Sequence, residues 1–190
     1  MDADTGAPLH KVIVVGLWTM SPTVIGSEPY NKRLNLIEVM TDEAGKFVLP
    51  AWGPKLLPPG ETSDGTNPRL AVFKHGYRTA WLLNMPTWLE QPKTDPPRTQ
   101  WAIKLEPFTG TLEQAAYNYD AFYMRLTRPL DDPDDPNDWK HFPMATAAVE
   151  KEMQYLKERG VKSADHPLGL PRIELISPAD RELLERYNRD

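Results

Sequence analysis

Between Lys11 and Met20 both alternating sets of positions are apolar, with Val12, Val14 and Trp18 in one phase and Ile13, Val15 and Leu17 in the other. A strand with one face in water would read polar at every second residue, so this run predicts a strand covered on both sides. Residues 33–42 predict a second strand with a phase slip near Ile37, the mark of a bulge. Asp42 to Gly45 then makes a hairpin turn in which Gly45 supplies a left-handed backbone. Phe47, Leu49 and Ala51 alternate inward on the strand expected next. Two more strands, 70–75 and 77–83, flank a turn at Gly76. Trp101, Ile103 and Leu105 against Ala102, Lys104 and Glu106 give the cleanest alternation, a strand with one wetter face.

The period changes after residue 108. Thr111 and Gln114 have capping-box spacing, and Leu112, Ala115, Tyr119, Phe122 and Leu126 recur at helical spacing up to Thr127. Residues 143–159 predict a second helix with Val149, Met153 and Leu156 on one stripe, stopped by Gly160. Ser177-Pro178-Ala179-Asp180 starts a third, followed by Leu183, Leu184 and Tyr187. A β region over 1–107 and a helical region over 108–190 are therefore expected. Short helices with narrow apolar stripes need a surface, and the doubly apolar strand needs a cover. The helical region is expected to pack on the β region rather than fold alone.

Composition narrows the function classes. Hydrophobic residues are 40% and charged residues 26% of 190, enough to build a core. The 20 prolines cluster in the connections, which suits a β-rich chain and opposes a helical bundle. A net charge of −5 argues against a nucleic-acid surface. Cysteine is absent, so no disulfide or thiolate chemistry is available in this chain. No apolar run approaches the roughly 18 residues of a membrane span.

Three segments carry a resemblance: Asp2-Ala3-Asp4-Thr5-Gly6-Ala7-Pro8-Leu9 before Val12, then Thr41 to Phe47, then Phe73 to Tyr77 with its Gly76-Tyr77 pair. Over roughly the first 80 residues, and less fully at the Trp101 strand, the chain resembles the carboxypeptidase regulatory-like domain family, also called transthyretin-like or prealbumin-like. The resemblance implies an antiparallel Greek-key β-sandwich, a mainly β fold, here with a C-terminal helical extension that the family domain lacks. It also implies a strand ahead of Asp2. It suggests a bacterial periplasmic or envelope location, reached by an export signal upstream of this sequence. Family motifs of this kind describe turns and core and say little about activity.

No catalytic set is expected. None of His10, His75, His141 and His166 has a Glu three residues on, so the zinc pair of the carboxypeptidases is missing. The purine-degrading hydrolases of similar fold need a histidine-rich centre and a terminal Tyr-Arg-Gly-Ser, and this chain ends Tyr187-Asn188-Arg189-Asp190. His75 reads as a loop histidine. Asp131, Asp132, Asp134, Asp135 and Asp138 read as a solvated acidic linker, because the Gly and closing Glu of a calcium loop are lacking. Neither metal nor cofactor is expected. Of six tryptophans, Trp18, Trp81 and Trp101 fall in strand phase as core, leaving Trp52, Trp88 and Trp139 as an exposed platform. The candidate binding residues are Trp52, Lys55 and Asp64 around the loop 53–67, with Trp88 in the next proline-rich connection. The expected role is non-catalytic binding of another envelope protein through loops or an edge strand. The alternatives are an immunity or inhibitor protein occluding a secreted toxin, and a carbohydrate-binding module.

Overall fold

The apolar run after Lys11 forms the central strand of the protein. The computed structural model describes residues 1–23, 32–63, 68–82, 102–127 and 138–164, together with Glu182 and Glu185. Its strands are β1 (Ile13–Pro22), β2 (Lys32–Met40), β3 (Glu61–Ser63), β4 (Arg69–Phe73) and β5 (Ala80–Leu82). They make one antiparallel sheet in the order β2-β1-β4-β5, with β3 paired to the far end of β1. Two helices follow, α1 (Leu112–Thr127) and α2 (Pro143–Glu158). Helix and strand content are about equal, so the described fold is mixed rather than mainly β. The region expected to form the third helix lies outside the described residues, Glu182 and Glu185 apart.

The two phases of β1 part to opposite faces. Ile13 and Val15, with Ala71 and Phe73 of β4, join a core built mostly from Tyr119, Phe122, Tyr123 and Leu126 of α1 and Ala145, Val149, Met153 and Leu156 of α2. The Phe73 ring lies 5.6 Å from those of both Tyr119 and Phe122. Both helices therefore lie on this face. The capping box forms as its spacing requires: the Gln114 side chain accepts the Thr111 amide at 2.9 Å, and the Thr111 hydroxyl accepts the Gln114 amide at 3.3 Å. Leu112, read as the first stripe residue, is exposed.

Val12 and Val14, with Leu70, Val72 and Leu105, face the other way. Their cover is two connecting segments, 46–58 and 102–108. Phe47 and Leu49 point inward as expected, but Ala51 is exposed and the segment is not a strand among the described residues. Gly16 lets this segment come close, since a Cβ there would stand 2.9 Å from a Leu49 methyl. The alternating run at 103–107 is zipped on both sides. The Leu105 amide donates to the Met1 carbonyl, the Ala3 amide to the Leu105 carbonyl and the Arg78 amide to the Glu106 carbonyl, each at 2.9 Å. These bridges, Asp2 to Leu105 and Tyr77 to Pro107, are isolated, so the expected strand is a short ladder instead.

The bulge falls earlier than the phase slip suggested. Trp18 pairs with Asn35 but Thr19 with Arg33, leaving Leu34 as the extra residue. That shift lets Leu34 join Ile37 against Trp18 and Met20, in a third cluster closed by Trp52 and Leu57.

The three motif segments meet. The Asp2 carboxylate accepts the Asp4 and Thr5 amides and the Thr5 hydroxyl on Oδ1, at 2.8–2.9 Å, and the Tyr77 hydroxyl on Oδ2 at 2.7 Å. The Thr41 hydroxyl donates to the Leu9 carbonyl at 2.7 Å and accepts the Val12 amide at 2.9 Å. Gly45, at φ +70, presses on this segment, where a Cβ would lie 3.0 Å from the Leu9 nitrogen. The Tyr77 hydroxyl and the Thr5 amide hold the Asp2 carboxyl down, to about 2 from 3.8. A depressed pKa contributes stability above the unfolded value and loses it as pH falls through the folded one. Asp2→Asn should therefore lower the thermal midpoint above about pH 4, with the gap to wild type closing as pH falls toward 2. A gap that does not change with pH would show that ionised Asp2 does not hold the turn.

Candidate functional site

Trp52 and Lys55 come together over the bulge. The segment leaves the 42–46 turn, and Trp52 drops onto Trp18 with ring centroids 5.2 Å apart and planes at 73°. Lys55 Nζ donates to the carbonyl of the bulge residue Leu34 at 2.8 Å, giving a partner to a group the irregular ladder would leave exposed. Val48 and Leu56 flank this contact and face solvent, at 82% and 96% exposure. Among the described residues no backbone-to-backbone hydrogen bond is made between Phe47 and Leu57. Asp64 and Trp88 lie outside the described residues, as do Asp131, Asp132, Asp134 and Asp135 of the acidic linker. Trp139, expected in the exposed platform, is buried. The short 3-10 turn Asp138–His141 tucks it inward as the chain enters α2.

A second cluster stands on the helix face. The turn after β4 places His75 against α2, with Nδ1 2.5 Å from Oε1 of Glu152. The histidine side chain is 73% exposed and the glutamate 11%. Tyr119 is beside them, and burial with the Glu152 charge pushes its hydroxyl up to about 12 while the Gly76 amide pulls it down. His75 is a turn residue, as expected, and it is tethered to α2. An imidazole held at one nitrogen by a carboxylate can orient and carry a proton. Catalysis would also need a reacting group in a cleft. A shallow depression of about 440 Å3 on the outer face of α2, lined by Glu150, Lys151, Gln154, Tyr155 and Glu158, includes none of the three. Among the described residues no group of three potential metal ligands converges. The His75–Glu152 contact fastens the β4 turn to α2.

Two acids, Glu152 buried and Glu38 partly buried, were not singled out from the sequence, although a signal existed for each. Glu152 sits three residues after Val149 and four before Leu156, inside the apolar stripe of α2. Glu38 lies between Leu36 and Met40 at strand spacing, on the face that meets the helices, and its side chain reaches α2. An acid inside an apolar period needs an internal partner.

Among the described residues no helix is long and apolar enough to cross a membrane. Compared with known proteins, the chain matches no family model, no curated protein and no solved structure.

Proposed function

We propose that this chain is a non-catalytic module of the bacterial cell envelope, binding another protein through the segment that carries Trp52. The observation that carries the reading is the exposure of Val48 and Leu56, which precede and follow in sequence a tryptophan that is itself anchored. Isolated apolar side chains on a surface are ordinary, but two almost fully exposed ones on the same segment as an anchored aromatic offer a partner apolar area to bury. The main chain of residues 47–57 makes no backbone-to-backbone hydrogen bond among the described residues, which leaves amides and carbonyls for a partner. β2 is the nearby edge, paired on one side only among the described residues.

On this reading the sheet and the two segments over its second face belong to a transthyretin-like sandwich. The inward alternation of Phe47 with Leu49 and of Ile103 with Leu105 supports it. The envelope location rests on the resemblance of the three turn segments. A protein partner suits the site better than a sugar. Trp52 is already packed on Trp18 and Trp139 is buried, which removes most of an aromatic platform.

The test is photocrosslinking in envelope extract, with benzoylphenylalanine placed at Val48, at Leu56 and, as control, at exposed Tyr117 of α1. One partner should be captured from the first two positions and not from Tyr117, and Trp52→Ala should abolish capture. A secreted toxin as that partner would favour the immunity role over a scaffold role. Equal labelling at all three positions, or glycan retention without any protein adduct, would contradict the proposal.

A further inference from the structure

Helix α2 starts without a cap of its own. Phe142 holds the capping position with no side-chain hydrogen bond, and the first turn contains no acid. Exposed amides at a helix start carry partial positive charge and ordinarily take an acceptor from the same stretch of chain. Here the acceptor comes from the sheet. Glu38 of β2 receives the Met144 amide on Oε2 at 2.8 Å and the Ala145 amide on Oε1 at 2.5 Å. The same two bonds cap the helix and tie it to the sheet.

We infer that Glu38 and the first turn of α2 form a proton-sensitive latch between the sheet and the helical layer, tighter when the carboxyl is protonated and looser when it is ionised. Ionisation strengthens the two amide bonds but leaves a charge in an apolar layer, beside Leu36 and Met144 and across from Val15. The second effect is larger: burial pushes the carboxyl up to about 7 from 4.5 against the pull of the amides. A raised pKa contributes stability that is complete below the unfolded value and is lost as pH rises through the folded one. The loss therefore spans roughly pH 4.5 to 7.

No charged side chain is among the influences on Glu38. The charged and titratable groups on the flank that leads into α2 are Lys140 and His141, and His141 is exposed. α2 itself faces the carboxyl with main-chain amides, and β1 faces it with Val15.

Amide hydrogen exchange over residues 144–149, corrected for the intrinsic pH dependence of exchange, tests the latch in the intact chain. From pH 5 to pH 8.5 the opening constant should rise roughly 70-fold, as linkage across that pKa difference requires. His141→Asn should keep the rise and Glu38→Gln should flatten it. A wild-type opening constant independent of pH, or a rise lost in His141→Asn but kept in Glu38→Gln, would overturn the inference. Should Glu38→Gln fail to fold, the carbon chemical shift of the Glu38 carboxyl in wild type decides. A midpoint near 7 supports the latch, and one in the ordinary carboxylate range overturns it.

Discussion

Phe122→Ala should cost about 3–5 kcal/mol of unfolding free energy, among the largest losses a single substitution can cause here. The ring is buried between the two layers, 5.6 Å from Phe73 and 6.3 Å from Trp81 by ring centroids. Truncation would remove its transfer energy and leave a cavity lined by rigid aromatic neighbours that cannot close over it. Domains of this size are held by roughly 5–15 kcal/mol, so the variant would be near its folding limit. Urea titration measures the change directly. A cost below about 1 kcal/mol would mean that α1 does not use the sheet as its floor.

Leu105→Ala should cost about 2–5 kcal/mol, and for a separate reason. Leu105 is buried against Val12, Val14, Leu70 and Val72 on the opposite face, under the short ladder. Its backbone bonds to Met1 and Ala3 survive the substitution, so the loss measures side-chain packing alone. Phe122 and Leu105 lie on opposite sides of one sheet and share no partners in their clusters. The double variant should therefore lose the sum of the two within about 0.5 kcal/mol. A cost under about 0.5 kcal/mol for Leu105→Ala would show that the 102–108 segment rests loosely on the sheet.

The strands and helices that follow a local period were legible. Val12 to Trp18 advertised its two covers because both phases are apolar, and Thr111 with Gln114 announced the start of α1 through a contact four residues wide. What depends on distant chain was not. Phe47 and Leu49 alternate like a strand, but a strand also needs a hydrogen-bonded neighbour, and side-chain period carries no information about that neighbour. Trp139 looked exposed from its acidic surroundings, yet one turn of 3-10 helix buries it. The partners of Glu38 and Glu152 were hidden for the same reason: they are 106 and 77 residues away.

The three turn motifs were readable because they serve one another. Asp2 is held by Tyr77, Leu9 by Thr41, and Gly45 lies against the Pro8–Leu9 step. Residues committed to each other in this way describe architecture and leave little to offer a substrate. The candidate binding segment was visible in part, through Trp52 and Lys55. Lys55, a candidate binding residue from the sequence, is exposed and donates its ammonium to the Leu34 carbonyl, a partner 21 residues away that the sequence could not announce.

Nuclear Overhauser contacts between the aromatic rings probe the two-layer arrangement at its seam. The Phe73 ring of β4 lies against Tyr119 and Phe122 of α1, so cross-peaks between Phe73 and both rings should be strong in solution. Their absence, in a spectrum that still shows Val15 paired with Glu38 across β1 and β2, would leave the sheet standing and its helical cover refuted.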